Sequence, residues 1–100
     1  MIEKRYSIEE LKEIIAPIAD KYHISKVYLF GSFARGDYNE LSDVDLRIEK
    51  GGLKGMFALC GFYTEVEEAL KMKVDILTTG SLEDNFLKEI GKDEVMLYAR

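Results

Sequence analysis

Two aspartates, Asp43 and Asp45, stand one residue apart in the stretch GSFARGDYNELSDVDL, residues 31–46, and a third, Asp75, sits in the apolar run Val74-Asp75-Ile76-Leu77. Side chains at i and i+2 of a strand project from one face, so Asp43 and Asp45 point the same way. If the strand carrying Asp75 lies beside theirs, three carboxylates meet on one surface. Two unit charges ~4 Å apart repel by roughly 4 kcal/mol at an effective dielectric of ~20. Such a cluster either shifts its pKa values upward or takes a cation. Oxygen donors with no His or Cys nearby favour Mg2+ or Mn2+ over zinc. Mg2+ commonly takes one or two carboxylates and completes its shell with substrate phosphates and water, which lets an acidic surface recruit an anionic nucleotide. The plain alternative is a polar strand face with Asp75 elsewhere in space. Asp-x-Asp is a common pattern, and Arg47, on the same face, is then a simple salt-bridge partner.

Gly31 and Ser32 raise a second question. They follow Lys26-Val27-Tyr28-Leu29-Phe30, a β-branched and aromatic run that reads as a buried strand. A glycine there lets the backbone come close to a ligand. Ser32 to Arg35 then reads as a short helical segment, and helix N-termini and turn amides are ready anion sites. Ser32 adds a hydroxyl and Arg35 a cation at the same place. The alternative is a strand terminator followed by an exposed arginine. Two rival motifs fail. Gly31 and Gly36 match the glycines of a P-loop, but Asp37-Tyr38 stand where Lys and Ser/Thr are needed. Asp43-x-Asp45 begins like an EF-hand loop, but Ile48 occupies the position that needs glycine. His23, the one histidine, is expected to fill a turn after the first helix.

The elements that must position these residues are readable in outline. Ser7-Ile8-Glu9-Glu10 is a capping box, and Ile8, Leu11, Ile14, Ile15, Ile18 and Tyr22 form a helical stripe over about 8–22. Pro17 lies inside it and either kinks the helix or makes its final turn irregular. Asp43 to Glu49 alternates, with Val44, Leu46 and Ile48 facing the core. Gly51-Gly52 marks a turn. From Leu53 to Leu70 the pattern is helical, with Met56, Leu59, Cys60, Tyr63, Val66 and Leu70 on one face. Phe57 and Phe62 widen that face and are either core residues or part of a partner contact. Glu67 and Lys71 are spaced as an i, i+4 pair. Val74 to Leu77 is a third strand. Ser81 is a candidate cap for a helix at about 82–91, with Leu82, Phe86 and Ile90 inward, and Val95 to Tyr98 is a short final strand. The order αβ(α)βαβαβ is that of an α/β domain with helices covering a sheet, one domain over 1–100.

Composition narrows the function classes. The 47% apolar fraction is that of a globular chain. A formal net charge of -5, with no Lys/Arg block, argues against direct DNA binding, which depends on neutralising many phosphates. One cysteine, Cys60, cannot form an internal disulfide, and its apolar neighbours suggest a buried thiol. No apolar leader and no membrane-length apolar run is visible, so the cytoplasm is the expected location.

Gly31-Ser32, ten intervening residues, then Asp43-Val44-Asp45 resembles the signature of the DNA polymerase β-like nucleotidyltransferases. The fuller string GSFARG…SDVDL is similar to the minimal nucleotidyltransferase (MNT) group, and the order of elements extends the resemblance over nearly the whole chain. It implies a small mixed sheet flanked by helices. It implies that Gly31 and Ser32 hold a triphosphate, that Asp43, Asp45 and Asp75 form the metal and catalytic set with Mg2+ or Mn2+, and that ATP is the substrate. Asp75 would also help deprotonate an acceptor hydroxyl. Arg35 and Arg47 are candidate phosphate or nucleotide contacts. Minimal members typically pair with a helical HEPN protein, an RNase toxin, and act as its antitoxin by moving AMP from ATP to a toxin tyrosine. Because the chain stops just after the core, the acceptor surface is expected to come from another chain, either HEPN or a second copy in a homo-oligomer. Two other readings stay open: an antitoxin that inhibits by binding alone, and a small-molecule nucleotidyltransferase of the aminoglycoside-modifying kind.

Overall fold

The computed structural model describes residues 6–36, 43–79 and 84–100. Four strands form one mixed sheet: β1 (Lys26–Phe30), β2 (Val44–Glu49), β3 (Val74–Thr78) and β4 (Val95–Ala99). Their order across the sheet is β3-β2-β1-β4. β1 runs antiparallel to both β2 and β4, and β2 runs parallel to β3. A parallel pair needs a long crossover. Here α3 (Gly55–Leu70) provides it, while α1 (Ile8–Lys21) precedes the sheet, α2 (Ser32–Arg35) follows β1, and α4 (Asp84–Gly91) lies between β3 and β4 in sequence. This is the order of elements read from the sequence. Among the described residues, no helix is long and apolar enough to cross a membrane.

The capping box is present in full: the Ser7 hydroxyl accepts from the Glu10 amide at 3.1 Å, and Glu10 accepts from the Ser7 amide at 3.0 Å. Pro17 sits inside α1, and the helix continues through it to Lys21. Pro17 and Glu13, whose carbonyl loses its intrahelical partner, both face solvent, where water can satisfy that carbonyl. His23 occupies the turn after the helix with a φ of 59°, as its position suggests.

Alternation along the strands gives the sheet two unlike faces. Leu29, Leu46 and Ile76 are register partners on one face, which α1 covers with Leu11, Ile15 and Ala19 and α3 covers with Phe62, Val66 and Leu70. Tyr22 meets Phe62 edge-on, with ring centroids 6.0 Å apart, locking the two helices together. The other face carries Phe30, Asp45 and Asp75 in one row and Tyr28, Arg47 and Leu77 in the next.

Several expectations need correction. The buried arc of α3 centres on Phe62, Val66 and Leu70, whereas Met56 is 72% and Phe57 96% exposed. Cys60, expected inside, is also exposed. The first nine residues of the helix, 55–63, are apolar all round, so periodicity alone does not choose which arc the sheet covers there. Glu67 accepts from the Val74 amide at 3.2 Å, and Lys71 ends α3 in the left-handed region with a φ of 55°. Phe86, expected inward, is 42% exposed. Ser81, Leu82 and the Ile90 side chain lie outside the described residues.

Among the described residues, Arg47 is the one charged residue in the buried set, at 8% exposure. Its Nε and Nη2 both donate to the Glu94 carboxylate, Nη2 at 2.8 Å, and Nη1 donates to the Thr79 hydroxyl at 2.7 Å. Its guanidinium lies 4.2 Å from the centre of the Tyr28 ring. The cluster ties β2 to the starts of the segments beyond β3 and before β4. Removing one partner of such a pair leaves a desolvated charge, so Glu94→Ala should cost about 3 kcal/mol in urea unfolding, more than Arg47→Met, which removes the charge itself.

Candidate active site

β2 and β3 align so that Asp45 stands directly opposite Asp75. Parallel neighbours lie roughly 4.8 Å apart and their paired side chains share a face, so the two carboxylates are side by side. Asp43 precedes β2, where the Val44 amide donates to the Lys73 carbonyl at 3.1 Å. Its carboxylate lies 3.8 Å from the Lys73 ammonium.

The Gly31-Ser32 turn sits against the same carboxylates. Gly31 has a φ of +76°, and a Cβ there would overlap the Asp45 carboxyl. Glycine is therefore required twice, for backbone conformation and for space. Ser32 begins α2, where helix amides run out of intrahelical acceptors. Phe33, 4% exposed, anchors α2 in the core, and Gly36 closes it with a φ of +85°.

Electrostatics confirm the crowding. The Asp45 carboxyl is pushed up to about 6, first by burial, then by the negative charges of Asp75 and Asp43, with Arg35 pulling the other way. Arg35 therefore acts on the carboxylate row. Arg47, a candidate phosphate contact by its place in the sequence, is held in this structure by Glu94 and Thr79, which engage its three nitrogens. On the far side of the row, burial followed by the charges of Asp75, Glu67 and Asp43 raises the Tyr63 phenol.

The donor set suits a hard divalent cation. It consists of carboxylates and hydroxyl and backbone groups, and its half-buried member, Asp45, resists carrying its charge without one. Among the described residues, no three carboxylate, thiol or imidazole groups already converge on a single point. The arrangement is a pair, Asp45 and Asp75, with Asp43 turned to Lys73.

Residues 12–100 match the family described as Polymerase beta, Nucleotidyltransferase. The chain belongs to that family. Its members generally use a divalent metal and a nucleoside triphosphate. This nucleotidyltransferase is 38% identical over 87 residues to a Methanocaldococcus jannaschii protein named "Putative protein adenylyltransferase", covering 83% of this chain and 94% of that one. Its fold is similar to a solved structure described as a "putative minimal nucleotidyltransferase", with a TM-score of 0.79 and 22% identity over 91% of this chain and 96% of that one. It is also similar to the complex of a tri-AMPylated Shewanella oneidensis HEPN toxin with its MNT antitoxin, with a TM-score of 0.70 and 16% identity over 93% of this chain and 73% of the matched one.

Four residues of the neighbourhood escape a reading by motif. Lys73 and Tyr63 are visible only once β2 and β3 are known to be parallel neighbours. Phe33 looks like any apolar residue, and Glu94 lies 47 positions from Arg47.

Two outcomes follow from the geometry. Gly31→Ala should lose about 1–2 kcal/mol from the backbone alone, with more from the overlap at Asp45, read by thermal or urea unfolding. Asp45 has a folded pKa near 6 against an ordinary value of 3.8. The folded state thus holds this proton more tightly than the unfolded one, and stability is lost as pH rises through that window. Without added cation, Asp45→Asn should melt higher than the wild type above pH ~6, and the difference should shrink towards pH ~4.

Proposed function

We propose that this nucleotidyltransferase is the antitoxin of a toxin–antitoxin pair and transfers AMP from ATP to a tyrosine hydroxyl of a HEPN RNase toxin. The observation that carries the reading is the Asp45–Asp75 register beside the Gly31-Ser32 turn. It brings a carboxylate row and a glycine turn together within one small site. The choice of acceptor is supported by the relatives: one named an adenylyltransferase, and a fold neighbour seen with an AMPylated HEPN toxin. Residues 1–100 act as one domain, in the cytoplasm.

In this reading each side chain has a task. Gly31 lets the backbone approach the triphosphate, and the Ser32 amide and hydroxyl bind its terminal phosphates. Arg35 contributes positive charge at the same end. Asp43, Asp45 and Asp75 would hold Mg2+ or Mn2+, in competition with Lys73 for the Asp43 carboxylate. When bound, the cation supplies the positive charge that holds the triphosphate and offsets charge developing on the attacking and leaving oxygens. Asp75 receives the proton of the acceptor hydroxyl. The acceptor oxygen bonds to the α-phosphorus, the bond from that phosphorus to the β-phosphate bridging oxygen breaks, and pyrophosphate leaves. The added AMP places a bulky anion on the toxin, which obstructs and repels RNA.

Intact-mass spectrometry of the HEPN protein after incubation with this chain, ATP and Mg2+ tests the reading. The expected result is a gain of one or more AMP units that Asp45→Asn and Asp75→Asn abolish. No gain, with the toxin still silenced by Asp45→Asn, makes the chain an inhibitor by binding. Modification of an aminoglycoside by the chain alone makes it a small-molecule enzyme. Lys73 gives a finer check. Exposed pairs are worth up to about 1 kcal/mol, so Lys73→Met should lower the Mg2+ concentration for half-maximal thermal stabilisation by up to about fivefold.

A further inference from the structure

A groove of about 380 Å³ runs between α3 and the edge strand β3, lined by Met56, Leu59, Cys60, Tyr63, Thr64 and Ile76. Met56 and the neighbouring Phe57 stand largely in solvent. Exposed apolar surface gathered on one helix face marks an interaction site. We propose that this groove is the acceptor-side docking surface, taking apolar side chains that flank the hydroxyl of the protein acceptor. The inference rests on the transferase reading above and adds where the acceptor sits.

The stereochemistry of the reaction selects the occupant. In an in-line displacement the attacking oxygen enters opposite the leaving pyrophosphate. The Gly31-Ser32 turn, where the terminal phosphates are held, follows β1. Asp45 lies on β2 and Asp75 on β3, so the line from leaving group to attacking group runs across the sheet from β1 towards β3. β3 is the edge strand among the described residues, and α3 with its groove covers the Ile76 face of that edge. Asp75 and Ile76 are consecutive residues on opposite faces of β3. The groove and the carboxylate row therefore meet around a single strand. Tyr63 joins the two surfaces, lining the groove while its phenol feels the charges of Asp75 and Asp43. The nucleoside lies off this line. The negative charges of Asp75, Glu67 and Asp43 that reach Tyr63 disfavour a second anionic ligand at that end of the groove. An uncharged or basic protein segment fits both conditions.

Cys60 is the only cysteine of the chain and lies exposed in the groove wall, which gives a probe that does not depend on catalysis. The measurement is the rate at which a small maleimide labels Cys60, followed by intact mass, for the full chain alone, with Mg2+–ATP, and with the HEPN protein as acceptor. With acceptor at ~10 times its Kd the rate should fall about tenfold, because only the free fraction reacts. Mg2+–ATP alone should leave it within twofold. Met56→Asp, a change at an exposed position, should raise the acceptor KM about tenfold. Protection by Mg2+–ATP alone would overturn the proposal by giving the groove to the nucleotide. Protection that grows with the concentration of this chain alone would overturn it in favour of a second copy. Acceptor that co-elutes with the chain yet leaves labelling unchanged docks elsewhere, which also overturns it. Protection by acceptor without AMP transfer would keep the docking surface and remove the transferase reading. An acceptor that does not bind at all would remove both.

Discussion

Placing Asp45 and Asp75 level with each other on adjacent parallel strands sets two negative charges on one half-buried surface, and much of the surrounding structure serves to hold them there. Repulsion between such groups is worth kilocalories at protein dielectric. Left alone, it would push the strands out of register or hold a proton between them. The Asp45 carboxyl is raised, first by burial and then by the charges of Asp75 and Asp43. The register resists the first because slipping β2 by one residue would turn Val44, Leu46 and Ile48 out of the core. Hydrophobic packing on one face thus enforces electrostatic strain on the other.

The same constraint explains the role of Arg47. It shares the Asp43–Asp45 face in sequence alternation, and a cation there would neutralise the row. Glu94 and Thr79 hold it instead, and Tyr28 stacks beneath it. Arg47 therefore does not neutralise the carboxylates, whose charge is moderated by Arg35 and Lys73 at the rim. Gly31 completes the arrangement by yielding the volume that a side chain would take from Asp45.

The sequence revealed the order of elements because it is written in local signals: the Ser7–Glu10 box, alternation over Val44–Glu49, and Gly31 after an apolar strand. The pairing of Asp45 with Asp75 was legible only as a condition on strand adjacency, with the family resemblance making that condition the expected one. What stayed hidden depends on distant partners or on choices among equivalent surfaces. Nothing local to Arg47 points to Glu94. Nothing in the apolar circumference of α3 says that Phe62 is buried while Phe57 and Cys60 face out. Both facts follow from how α3 crosses the sheet against α1, a tertiary outcome that periodicity does not encode. The exposed arc then becomes informative, since it adjoins the carboxylate row.

The central claim is that this row exists to bind cations together with a nucleotide. Electron paramagnetic resonance of free Mn2+, titrated against the chain with a non-hydrolysable ATP analogue, tests it most directly. Binding of Mn2+ should tighten when the analogue is present, and Asp45→Asn should abolish that tightening while the protein remains folded. Analogue binding that persists unchanged in excess chelator, or Mn2+ binding that Asp45→Asn leaves intact, would contradict it.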